Sequence, residues 1–299
     1  MELNGIYTAL ITPFNKDNSV NKNAYEQVIN KVIQDEVHGV VVAGSTGENY
    51  SQTLEERINL IELTSKIINK RVSLIVGIGG VTRTEDSIVL GKKAKLVGAD
   101  AIMISSPPYA VPTSKENAIN SLIIDNAIDL PILLYNYPGR TGVHMDKEYL
   151  DIISVSNNFR WIKESSGELS RIDFLIKNYP NIKLCCGMDD QALEYFQAGV
   201  KSWVCAGSNF SATAHLALWK SFVVEKNLEK AKKIWSSMLP LMKQLEQGGK
   251  FIQSIKHGVS ITGIDAGIPR LPLQPLDDNE KILIEKIITK MNNSIREIN

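Results

Sequence analysis

Lys163 sits in the run Trp161-Ile162-Lys163-Glu164-Ser165, which otherwise has the character of a β-strand. An amine carried on such a strand is expected to point into a protein interior. There the ammonium loses hydration, its pKa falls, and the neutral amine can add to a carbonyl and form an imine. The competing reading is a lysine paired with a carboxylate at the strand end, with Glu164 the nearest choice. Gly44-Ser45-Thr46-Gly47-Glu48 also reads two ways. It is either a plain turn or a tight glycine loop offering backbone N–H groups to a carboxylate. Tyr135 and Arg140 stand five residues apart, at a strand end and in the loop after it. A tyrosine hydroxyl can shuttle protons beside a reacting carbonyl, and an arginine can clamp a carboxylate with two hydrogen bonds. The competing readings are a core tyrosine and a surface arginine, and for Arg140 taken alone the surface reading is the stronger. Gly187-Met188-Asp189-Asp190 closes a further strand-like run with polar residues.

The elements that must position these groups follow a regular rhythm of short β-rich runs and longer helix-period segments. The strand candidates are Gly5–Phe14, Gly39–Gly44, Ser73–Gly79, Ala101–Ser106, Pro131–Tyr137, Arg160–Ser165, Lys183–Gly187 and Ser202–Ala206. Near-continuous apolar runs such as VVVAG and LIVGIGG suit strands buried on both faces. Leu54–Lys70, Thr84–Val97 and Ser114–Ala127 have helical period, and Thr53 with Glu56 forms a candidate capping box for the first. Eight strands alternating with helices imply an α/β fold, a (β/α)8 barrel, with a doubly wound sheet as second choice. The chemistry-bearing residues then collect at the carboxyl ends of the strands, where such barrels place active sites. Beyond about residue 225 only helical signals remain, in Leu228–Gln247, Phe251–Thr262 and Asp278–Asn293. The expected organisation is a catalytic barrel over residues 1–225 and a helical appendage over 226–299.

Composition narrows the function classes. Thirty-three basic and 33 acidic residues cancel, so no overall charge steers the chain toward nucleic acid or an anionic membrane. The start, MELNGIYTALITPF, lacks the layout of a signal peptide, and no stretch approaches the roughly 20 apolar residues of a membrane span. Three cysteines, two of them adjacent, argue against a disulfide framework and fit a reducing cytoplasm. Four scattered histidines and no CxxC leave no expected metal site.

Taken in order, TALITPF (Thr8–Phe14), GSTGE (Gly44–Glu48), PPYAVPT (Pro107–Thr113), YNYPGRTG (Tyr135–Gly142), IKESSG (Ile162–Gly167), CGMDD (Cys186–Asp190) and RLPLQPL (Arg270–Leu276) resemble the dihydrodipicolinate synthase/N-acetylneuraminate lyase family. The resemblance runs nearly end to end. It implies a Schiff-base lyase or aldolase acting on pyruvate or a related 2-oxo acid, with no cofactor. Lys163 matches the imine-forming lysine and Tyr135 the proton-transferring tyrosine. Ser45 and Thr46 match the pair that holds the oxo-acid carboxylate, and Gly47 and Gly187 join them as substrate-binding positions. Val204 matches a position whose carbonyl faces the substrate. Tyr109 matches a tyrosine that enters a neighbouring subunit's site, which implies a homodimer or homotetramer. Arg140, within PGRTG, matches the arginine that binds the carboxylate of aspartate semialdehyde.

On these grounds the expected reaction is a 4-hydroxy-tetrahydrodipicolinate synthase-like condensation of pyruvate with aspartate semialdehyde. The alternatives are a 2-keto-3-deoxy sugar acid aldolase or dehydratase, an N-acetylneuraminate lyase-like aldolase and, from another class, a non-catalytic 2-oxo acid binding protein. Several positions depart from the synthase pattern. Pro108 replaces the first tyrosine of a pair, and Leu54, Arg57 and Val81 stand at positions of the lysine feedback site, which puts lysine inhibition in question. Tyr137 and the strand-eight residues Trp203 and Cys205 lead us to expect a reshaped pocket.

Overall fold

The computed structural model describes residues 2–298; Met1 and Asn299, the outer ends of the two expected segments, lie outside it. Eight parallel strands close into a barrel in sequence order, with β8 hydrogen-bonded back to β1. They are β1 (Gly5–Ala9), β2 (Gly39–Val42), β3 (Ser73–Gly77), β4 (Ala101–Ser105), β5 (Ile132–Asn136), β6 (Phe159–Glu164), β7 (Lys183–Cys186) and β8 (Ser202–Cys205). The barrel expected from the sequence is present. Each strand is shorter at its carboxyl end than its apolar run suggests, because the last residues leave the sheet to form the rim.

Side chains alternate between two environments, as the two-residue period of a strand requires. Val41, Ile75, Met103, Leu133, Trp161, Cys185 and Val204 fill the barrel interior. Val40, Val42, Val76, Leu134, Ile162 and Leu184 face the surrounding helices. Both sets are buried, which is why the strands read as unbroken apolar runs rather than as alternation.

The helices form where the period changes. Leu54–Ile68 starts at Thr53, whose hydroxyl accepts the Glu56 N–H at 3.1 Å while the Glu56 carboxylate accepts the Thr53 N–H at 2.9 Å. This reciprocal cap satisfies donors that a helix start leaves open. Thr113 and Glu116 repeat it for Ser114–Ile128. After the barrel come Leu228–Gln247, Phe251–Ile261 and Asp278–Ile298. Their apolar faces (Ile234, Met238, Leu241, Ile255, Val259, Ile284, Ile288) belong to the same continuous core as the outer barrel layer.

One buried ion pair fastens these helices to the rim. Lys256 donates to Glu48 at 2.6 Å, with 2% and 0% of their side chains exposed. Lys256 also donates to the Ile268 carbonyl, and the second Glu48 oxygen accepts the Arg270 N–H at 3.0 Å. Phe14 lies between two cations, with Lys256 Nζ 4.4 Å and the Arg270 guanidinium carbon 4.2 Å from its ring centre. Removing one member of a desolvated pair strands the other. Lys256→Met should therefore cost about 3–5 kcal/mol in chemical denaturation, while Glu48→Gln/Lys256→Met should recover most of that loss. Equal losses in the single and double variants would show that the pair's charge is not what holds the rim.

Candidate active site

The carboxyl ends of the strands surround two adjoining cavities of about 170 and 290 Å³. Ser45, Tyr135, Tyr137 and Arg140 line both. The smaller also takes in Thr46, Lys163, Gly187, Asp189, Val204 and Glu246. The larger runs toward Asn49, Tyr50, Gly79, Gly80 and Pro108.

Lys163 reaches the cavity because β6 alternates. Trp161 and Lys163 face the interior, and Ile162 and Glu164 face out. The two readings of the lysine separate here. Glu164 is wholly buried on the other side of the sheet, where it binds Arg171 Nε at 2.7 Å, the Asn136 amide at 2.9 Å and the Ser166 N–H at 2.9 Å. It is committed to that network and does not pair with Lys163. Only 7% of Lys163 is exposed, and its Nζ lies 4.1 Å from the centre of the Tyr135 ring. Gly187 makes room for it. A Cβ there would sit 2.7 Å from Lys163 Cγ and 2.1 Å from Ser165 Oγ, so a glycine at the end of β7 is a packing requirement of the lysine.

The expectation that burial alone lowers the lysine pKa is corrected. Desolvation pulls it down, but Tyr135, Asp189, Cys185 and Glu246 favour the ammonium, and the net shift is upward. The cavity's acids thus favour the ammonium form of this lysine.

Tyr135 Oη lies 3.4 Å from Ser45 Oγ, at the long end of a hydrogen bond. Ser45, Thr46 and Gly47 form a single 3-10 turn directly after β2. Gly47, expected among the substrate-binding residues, lines neither cavity. Its N–H is spent on the Gly44 carbonyl at 3.1 Å, and its own carbonyl accepts Thr12 Oγ1 and Gln52 Nε2. Arg140 stands on the short helix Pro138–Thr141, which begins at a proline and ends at Gly142 in the left-handed region. Its guanidinium carbon lies 5.3 Å from the Tyr137 ring centre. Val204 faces the interior from β8, whereas Trp203 and Cys205 face outward. The strand-eight departures thus do not reshape the pocket directly. Trp203 packs against Phe196 and His215 and reaches the site only through its indole N–H, which donates to Asp189 Oδ1 at 2.9 Å.

Tyr109 is in neither cavity of its own chain. It is 96% exposed, and it and Val111 have positive φ (68° and 45°), so a loop with backbone strain carries two apolar side chains into solvent.

Two site residues were not singled out from the sequence. Asp189 is held by the Trp203 indole and by the Ala206 and Gly207 N–H groups, and burial pushes its pKa up to about 6. Glu246, in the last turn of Leu228–Gln247, accepts the Asp189 N–H at 3.0 Å. Burial, then the neighbouring Asp189 charge, push its pKa up to about 8. The CGMDD motif marked Asp189 as a rim residue. Nothing in the amphipathic run around Glu246 distinguished it from a solvated helix charge.

The model of the dihydrodipicolinate synthetase family matches residues 2–291. The chain belongs to that family. The 4-hydroxy-tetrahydrodipicolinate synthases of Lactobacillus acidophilus and Bacillus subtilis are each 31% identical to it over 97% of this chain, and over 93% and 100% of their own. The solved structure of the 4-hydroxy-tetrahydrodipicolinate synthase of Methylacidiphilum fumariolicum superposes with a TM-score of 0.92 at 27% identity, covering 99% of this chain and 98% of that one. As a member of the dihydrodipicolinate synthetase family the protein is an enzyme of the class I aldolase type. Among the described residues no cluster suited to a metal ion occurs, and no helix is long and apolar enough to cross a membrane.

The charge of this family member's lysine is measurable without substrate. Competitive acetylation of Lys163, followed by peptide mass mapping across pH, should give an apparent pKa above that of free lysine. Asp189→Asn removes an acid that favours the ammonium, so it should move that pKa down. An unchanged profile would show that Asp189 does not set the lysine's charge.

Proposed function

We propose that Lys163 forms a Schiff base with pyruvate or a related 2-oxo acid. The observation that carries this reading is a desolvated lysine at the barrel mouth, 4.1 Å from a tyrosine ring, with its sequence-adjacent carboxylate turned away. The lysine gives up its proton and adds to the ketone. Tyr135, relayed through Ser45, takes up the proton that the lysine nitrogen loses as it adds and delivers one to the carbinolamine hydroxyl, which leaves as water and gives the iminium. Ser45 and Thr46 hold the 2-oxo acid's carboxylate. The iminium withdraws electrons, so a C3 proton leaves to give an enamine that can attack an aldehyde.

Arg140 favours a partner that carries its own carboxylate, because a guanidinium facing a cavity offers two parallel donors. The relatives' names and Arg140 together support condensation of pyruvate with aspartate semialdehyde. Aldol cleavage or dehydration of a 2-keto-3-deoxy sugar acid is the second reading. It is favoured by the carboxyl group of Glu246 in the cavity, which suits a hydroxylated substrate.

The test is borohydride reduction with pyruvate followed by peptide mapping. A pyruvyl adduct on Lys163, absent from Lys163→Ala, supports the Schiff base. Its absence from folded wild-type protein would refute a pyruvate imine. A substrate panel then separates the outcomes, since a dehydratase releases water and leaves the carbon skeleton whole.

The exposed Tyr109–Val111 loop fits insertion into a second copy, with Tyr109 completing the neighbour's proton relay. Light scattering should then give a mass at least twice the 33.2 kDa of the chain. Tyr109→Ala should lower turnover by about 10-fold or more, as loss of a proton-relay group does. A fully active monomer would exclude this role.

A further inference from the structure

Resting on the Schiff-base reading, we propose that Glu246 is a catalytic residue that binds the oxygen at C4 of the aldol and carries the proton which that oxygen gains in condensation and loses in cleavage. The roles already derived leave one atom of the reaction without a partner. Lys163 takes C2, Ser45 and Thr46 the adjacent carboxylate, and Arg140 the far end. The aldehyde oxygen that becomes the C4 hydroxyl is unassigned. Of the polar side chains lining the same cavity, Asp189 is spent on the Trp203, Ala206 and Gly207 donors. Glu246 remains. Its Oε1 accepts the Asp189 N–H, and among the described residues this is its one hydrogen bond.

A structural role explains Glu246 poorly. It has no salt bridge among the described residues, and the acid nearest to it along its hydrogen bond is the buried Asp189. Placing one carboxyl beside another in a desolvated site costs the fold stability, and without a direct salt bridge the Lys163 charge across the cavity offsets only part of that cost. Such arrangements concentrate where a group must hold a proton near neutral pH. The groups facing Glu246 around the cavity are Lys163, Tyr135, Tyr137, Arg140, Asp189 and, in the adjoining turn, Asp190. Burial and the Asp189 charge favour its protonated form.

In the condensation the enamine C3 attacks the aldehyde carbon and the C3–C4 bond forms. The carbonyl π pair moves to oxygen, which takes the Glu246 proton, and the enamine nitrogen becomes the iminium. Water hydrolyses the iminium and frees Lys163, and Glu246 regains a proton from solvent. Cleavage runs the same steps in reverse, with the Glu246 carboxylate accepting the hydroxyl proton.

The experiment uses Glu246→Gln in the full-length protein, because glutamine keeps an acceptor for the Asp189 N–H. Three quantities are compared with wild type. They are borohydride trapping of pyruvate, exchange of the pyruvate C3 protons into deuterium oxide by NMR, and condensation with the best aldehyde from aspartate semialdehyde, glyceraldehyde and glycolaldehyde. Trapping and exchange precede the aldehyde. They should persist, while kcat for condensation falls about 100-fold or more and loses the alkaline limb of its pH profile. Glu246→Asp should restore part of the loss. Unchanged condensation overturns the proposal. So does loss of trapping and exchange together in folded protein, which would mean that Glu246 acts on Lys163 instead. Failure of trapping in wild type would instead refute the Schiff base itself.

Discussion

The alternation of β6 organises the rest of the site. A strand presents successive side chains to opposite faces, so Lys163 and Glu164 cannot share one environment. The lysine is sent into the barrel mouth and the glutamate into the layer under the helices. Each placement demands compensation. Outside the barrel, Glu164 gathers Arg171, Asn136 and the Ser166 N–H, a network that ties β5, β6 and the helix Ser170–Asn178 together. Inside, the lysine finds acids at a distance rather than in contact, and its neighbours on β7 have to be small.

The helices after the barrel belong to the site as well as to the core. Leu245, Glu246, Gly249 and Phe251 close one side of the smaller cavity. The Lys256–Glu48 pair holds that wall against the turn after β2. Glu48 directly follows the Ser45–Gly47 turn, so one buried charge pair registers the helical layer against the residues proposed to bind the 2-oxo acid carboxylate. Buried pairs are poor sources of stability but are sensitive to geometry, which suits this registering role.

Charge in the cavity is balanced among groups drawn from different elements. Lys163 shares the cavity with Asp189 from the β7 loop and Glu246 from a distant helix; burial raises both acids' affinity for protons, and the Asp189 charge raises that of Glu246 further. Lys163, Asp189 and Glu246 line the smaller cavity, while the larger adds Met103, Pro108, Tyr50 and several glycines to the Ser45, Tyr135, Tyr137 and Arg140 that the two share.

Much of this was legible in the sequence because it depends on local periodicity. Eight β-rich runs between helix-period segments specify the barrel, since each strand must be buried on both faces and each helix on one. Barrel geometry then requires the strand ends to converge, which brings Ser45, Thr46, Tyr135, Arg140, Lys163, Gly187 and Val204 to one rim. The capping boxes at Thr53 and Thr113 were readable for the same reason, being hydrogen bonds between residues three apart. What the tertiary structure alone decided lies in long-range contacts. Gly47 turned its N–H back into its own turn, and Trp203 packed outward instead of reshaping the pocket. The net shift of the lysine pKa is upward despite burial, because a pKa sums over acids that are near in space and far in sequence. Glu246 entered the site from a helix whose charged residues otherwise face water. An amphipathic pattern records which face of a helix is buried, but not which of its edge residues meets a cavity formed by eight other segments.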